Sequence, residues 1–132
     1  MCVLRIEAYF RKIEEAIQIC TVVQLSEVTF EKRSSHQGFI KGCLTFLDNS
    51  VLHFREYIDV EVGLERLMYV YHYSDLSDHL IFRYDNTGHH KGLGLPTYPH
   101  HKHDGSEHNV FASDAPYLNI ILEEIEMKVE LP

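Results

Sequence analysis

FIKGCLTFLDNSVLHFREYI, residues 39–58, decides the fold. Asp48-Asn49-Ser50 is a turn signal, because Asp and Asn side chains bond nearby backbone amides and tolerate left-handed backbone. Both flanks are apolar and β-prone. Phe39 to Leu47 runs into the turn, interrupted by Lys41, Gly42 and Thr45. Val51 to Ile58 returns, with Leu52, Phe54 and Ile58 on one side and Val51, His53, Arg55 and Tyr57 on the other. A period of two on both sides of a tight turn is an antiparallel hairpin. Glu56 breaks the pattern by falling on the apolar side.

The same period extends outward. Val28 and Phe30 alternate with Thr29 and Glu31, a strand from about Leu25 to Arg33 that ends in the Ser34-Ser35-His36 turn. Beyond the hairpin, Leu67 to Tyr73 sets Tyr69, Tyr71 and Tyr73 against Met68, Val70 and His72. Ser74 to Asp78 is a turn, and His79 to Asp85 the next strand. Asn86 to Glu107 has no usable period, and a loop of that length in a compact domain is usually either functional or disordered. Asn109 to Ala112 is a last short strand. At the two ends the period becomes helical. Val3, Ile6, Phe10, Ile13 and Ile17 stripe residues 3–19, and Leu118, Ile121, Leu122, Ile125 and Val129 give a second apolar face, capped at Ser113 or Asp114 with Pro116 in the first turn. The expectation is an α+β domain spanning residues 1–132: an antiparallel meander of about five strands flanked by N-terminal and C-terminal helices.

Composition excludes several classes. The chain has 132 residues, 45% hydrophobic and 24% charged, which is ordinary for one globular domain and excludes disorder and collagen-like repeats. No apolar run reaches the roughly 18 residues of a membrane span, and charge appears too early at the N-terminus for a signal-peptide core. Cys2, Cys20 and Cys43 are scattered and odd in number, which reads as free thiols in a reducing compartment. The expected location is cytoplasmic, with no membrane partner. The net charge of −8 argues against a wholly basic surface. Charge is uneven, however. From Arg83 to His103, the cations Arg83, Lys91 and Lys102 and the histidines His89, His90, His100, His101 and His103 face one acid, Asp85. A cationic island on an acidic body can bind an anion.

Imidazole both takes and gives a proton near neutral pH, and guanidinium grips phosphate through a rigid fork. These are the groups that metal-free RNA cleavage needs. The expected roles are Arg83 with Lys102 on the scissile phosphate, one of His100, His101 and His103 with one of His89 and His90 as base and acid, and Asp85 orienting an imidazole. The expected cofactor is none. The alternative is a divalent metal such as zinc on His89, His101 and His103, with Asp85 offering an oxygen, although no H-E-x-x-H or cysteine pattern supports it. Tyr69, Tyr71 and Tyr73 could stack bases, but a tyrosine stripe on one strand more often lines a core. Glu56 suits a structural ion pair, with Arg83 among its candidates.

Several of these pieces together resemble the TumE-like family of type II toxin–antitoxin modules. They are Gly42-Cys43-Leu44-Thr45-Phe46, Asp48-Asn49-Ser50-Val51-Leu52, Phe54-Arg55-Glu56, Tyr69-Val70-Tyr71-His72-Tyr73, Leu80-Ile81-Phe82-Arg83-Tyr84-Asp85-Asn86, His89-His90 and Pro99-His100-His101-Lys102-His103. The resemblance implies a small cytoplasmic toxin held inactive by an antitoxin encoded beside it. It carries no catalytic assignment, so an RNA substrate and the ribonuclease roles rest on residue chemistry and the habits of such toxins. The alternatives are a non-enzymatic binding module and a histidine-rich metal-binding protein or metal-dependent nuclease.

Overall fold

A computed structural model describes residues 5–88 and 94–129. The order is α1 (Ile6–Ile19), β1 (Val23–Lys32), β2 (Gln37–Phe46), β3 (Val51–Asp59), β4 (Glu65–Ser74), β5 (Leu80–Asp85), β6 (His101–Asp104), β7 (Val110–Ala112) and α2 (Leu118–Lys128). The strands form one seven-stranded sheet in sequence order, each pairing antiparallel with the next. The α+β meander flanked by terminal helices is therefore as expected, with seven strands in place of about five.

The central hairpin turns at Asn49, whose φ is 66°, while Asp48 Oδ1 accepts the Ser50 amide at 3.0 Å. Each strand then buries alternate residues: Ile40, Leu44 and Phe46 from β2, Leu52, Phe54 and Ile58 from β3, Tyr69, Tyr71 and Tyr73 from β4, Phe82 and Tyr84 from β5. Ile6, Tyr9, Ile13 and Ile17 of α1 and Leu118, Ile121, Leu122 and Ile125 of α2 close over this one face. Gly42 is required there, because a Cβ would lie 2.3 Å from Phe54 Cε1 on the paired strand. The opposite face of the sheet carries no helix among the described residues. None of the helices described is long and apolar enough to cross a membrane.

Two expectations need correction. Residues 101–104 belong to a strand, not to the long loop. The strand was illegible because its buried residues, His101 and His103, are polar, so no hydrophobic period marks it. The second helix begins at Leu118 with Tyr117 as N-cap and no side-chain cap. Ser113 Oγ instead accepts the Ala115 amide at 3.1 Å, and Pro116 precedes the helix.

Glu56 is fully buried under α1, and its carboxyl accepts the hydroxyls of Tyr9 and, at 2.7 Å, Tyr71. Arg66, not Arg83, is the cation of this network. It donates to Tyr71 Oη and to the Ala115 and Pro116 carbonyls, and its guanidinium lies over the rings of Tyr69 and Tyr117. Burial pushes the Glu56 carboxyl up, against the Tyr9 and Tyr71 hydrogen bonds and the Arg66 cation that hold it down.

Candidate functional site

Residues paired directly across antiparallel strands share a face, as do residues two apart on a strand. On the helix-free face this builds two adjacent rows. One reads Cys43, His53, His72, Arg83, His103 from β2 to β6, and the other Lys41, Arg55, Val70, Asp85, His101. Arg83 thus stands between two imidazoles, His72 on β4 and His103 on β6.

Asp85 is the anchor. It is buried, and its Oδ1 accepts the Thr87 amide at 3.0 Å and the Thr87 hydroxyl at 2.9 Å. Oδ2 accepts Arg83 Nε at 2.9 Å, which fixes the guanidinium plane. His101 Nε2 lies 2.9 Å from Oδ1, and His103 Nε2 3.9 Å from Oδ2. Burial raises the Asp85 carboxyl, but the Thr87 hydrogen bonds, the His101 charge and the Arg83 hydrogen bond outweigh it and hold it below its ordinary value.

The far side of each ring is fixed by backbone. His101 Nδ1 meets the Pro99 carbonyl at 2.9 Å, and His103 Nδ1 the Glu107 carbonyl at 2.9 Å. A carbonyl only accepts, so Nδ1 carries hydrogen in both, and Nε2 is the ring nitrogen beside Asp85. The two rings meet edge to face with centroids 4.9 Å apart. His72 is half-buried. Burial and the Arg83 cation push it below the ordinary imidazole range, so it is a neutral acceptor at pH 7.

The structure thus brings together Arg83, Asp85, His101 and His103, and separates Lys102 and His100 from them. Lys102 alternates to the helix side, where Nζ is 3.3 Å from Glu124 Oε2 on α2 and 4.9 Å from the Tyr84 ring centroid. His100 stacks on Tyr69 and its Nδ1 is 2.7 Å from Tyr69 Oη, so it belongs to the Arg66 side. His89 and His90 lie outside the described residues, as does the metal alternative that includes His89. Tyr69, Tyr71 and Tyr73 are fully buried and present no stacking surface.

The residues missed by sequence reasoning are His72, His53, Lys41 and Arg55. Strand alternation placed His53 with Arg55, and His72 opposite the tyrosines, but joining them to Arg83 needs the register. With Val70 and Arg83 they line a groove of about 300 Å³ on the open face.

One ligand atom each from Asp85, His101 and His103 lie within 4.8 Å of one another, a set able to hold a divalent cation. The Arg83 Nε–H 2.9 Å from the same carboxylate competes with a metal for it.

The family model described as Toxin TumE matches residues 11–129. No curated protein and no solved structure matches the chain.

Proposed function

The chain belongs to the toxin TumE family, which makes it the toxin component of a toxin–antitoxin module with an antitoxin as partner, and on that premise we propose that it is a metal-independent endoribonuclease. The observation that carries this reading is the cross-strand row His72–Arg83–His103, with Asp85 binding Arg83 and facing His103. In-line transfer at a phosphate needs a base and an acid on opposite sides of it and a cation between. Two strand spacings, roughly 10 Å, separate the backbones of His72 and His103, and Arg83 stands in the gap.

Arg83 binds the scissile phosphate and stabilises charge on its oxygens as the phosphorane forms. His72, neutral at pH 7, takes the proton of the 2′-hydroxyl as that oxygen attacks phosphorus. His103, beside the Asp85 carboxylate, gives a proton to the departing 5′-oxygen. The products are a 2′,3′-cyclic phosphate and a 5′-hydroxyl. Asp85 and His101 position the acid. The antitoxin holds this activity in check in the cell.

The test is cleavage of a short RNA by the purified protein, with and without a chelator, beside the same RNA carrying one 2′-deoxy substitution at the cut. The reading expects chelator-resistant cleavage, cyclic-phosphate ends and an inert deoxy substrate. The Asp85, His101 and His103 cluster supports a second reading, a metal-dependent nuclease. That reading takes over if a chelator abolishes cleavage, one metal restores it, and the deoxy substrate is cut by activated water.

A further inference from the structure

We infer that the open-face groove beside Arg83 is a track for the sugar–phosphate backbone of single-stranded RNA, held by Lys41, Arg55 and His53 on the side of the site away from His103. The inference rests on the ribonuclease reading for the identity of its ligand.

The charge pattern is the first reason. Lys41 and Arg55 are direct cross-strand partners, and His53, His72 and Arg83 follow one another across β3, β4 and β5. Like charges placed directly opposite destabilise a sheet. This chain has 20 acids against 12 lysines and arginines, yet among the described residues no acid lines the groove. Neither Lys41 nor Arg55 makes an ion pair or side-chain hydrogen bond among the described residues, and both are exposed. A solvated face of this protein would be mixed or acidic. The cross-strand pair Lys41–Arg55, which has no ion pair among the described residues, is what an anionic ligand would relieve.

Geometry is the second reason. Arg83 both lines the groove and donates to the buried Asp85, so the groove ends directly against the Asp85 cluster. From Lys41 on β2 to Arg83 on β5 is three strand spacings, roughly 14 Å, a length spanning a few phosphates. The buried Val70 forms an apolar floor between Arg55 and Asp85. The groove itself is about 300 Å³, room for part of one strand. On the outer edge β1 presents Glu27 and Glu31, diagonal to Lys41, which close the track at that end.

The experiment measures binding of a fluorescent single-stranded oligonucleotide, 2′-O-methylated throughout so that it cannot be cut, to wild type and to the double variant Lys41→Gln, Arg55→Gln. Both side chains are exposed, and a thermal melt confirms that the variant folds. Affinity is expected to fall at least about tenfold. The slope of log affinity on log salt is expected to shrink by about 1.4, the share of two phosphates on a single strand. On cleavable RNA, KM rises while kcat stays within about twofold. Wild type that binds through these residues but cuts no RNA ends the ribonuclease reading and leaves the track standing. Wild type that cuts RNA, with a double variant that binds as tightly, ends the track and leaves the ribonuclease reading standing. Affinity for polyglutamate with none for the oligonucleotide overturns the track and assigns the groove to an acidic protein partner.

Discussion

Asp85→Asn removes one buried negative charge and keeps the shape of the side chain. The carboxylate accepts the Thr87 amide and hydroxyl at 3.0 and 2.9 Å and Arg83 Nε at 2.9 Å. Asn can keep an oxygen toward Thr87, but it then turns an NH2 toward the Arg83 donor. A hydrogen bond to a charged group contributes about 1.5–3 kcal/mol. Arg83 is 29% exposed, so its share is screened to about 1 kcal/mol. With the Thr87 bonds weakened from charged to neutral, the expected loss is about 2–4 kcal/mol at pH 7, or roughly 10 °C in Tm for a domain this size. The folded carboxyl sits below its ordinary value of 3.8. Its contribution is therefore complete above that pH and is lost as pH falls through the lower folded value. Urea unfolding of both proteins at pH 7 and again well below pH 3.8 reads this directly. The gap should narrow in acid. A variant within about 0.5 kcal/mol of wild type at pH 7, or a gap that acid leaves unchanged, refutes the charged anchor. The kcat for RNA should fall at least about tenfold in the same variant, because His103 loses the carboxylate beside it.

Other perturbations separate the roles further. His72→Gln should slow cleavage by about a hundredfold. In wild type the acidic limb of the rate profile should fall below pH 6.5, since the base acts unprotonated and burial with Arg83 holds it low; an acidic limb above 6.5 removes His72 from the role. Lys102→Gln should leave kcat within about twofold, because that amine faces Glu124 on the helix side; a large loss would restore Lys102 to the phosphate. Gly42→Ala should cost about 1–3 kcal/mol in a thermal or urea melt by driving a methyl into the Phe54 ring, and a neutral effect would contradict the packing of β2 on β3.

What the sequence determined by itself was local. The Asp48-Asn49-Ser50 turn, the alternation on either side of it and the helical stripes at the two ends depend only on neighbours in the chain, and they delivered the α+β meander. It also isolated Arg83, Asp85, His101 and His103, because cations and imidazoles crowd that stretch against one acid. It could not separate Lys102 and His100 from them, since a strand whose buried side chains are histidines shows no hydrophobic period and so no faces. Nor could it find Arg66 as the partner of the Glu56 network, which is a matter of which strand lies under α1. The tertiary structure decided the site through register. One residue of slip between β4 and β5 would send Arg83 to the core face, whereas the observed pairing sets it between His72 and His103 and continues the row to His53. These residues come from β3, β4, β5 and β6, and backbone hydrogen bonds between strands, which no single stretch of sequence encodes, bring them to one face of the sheet.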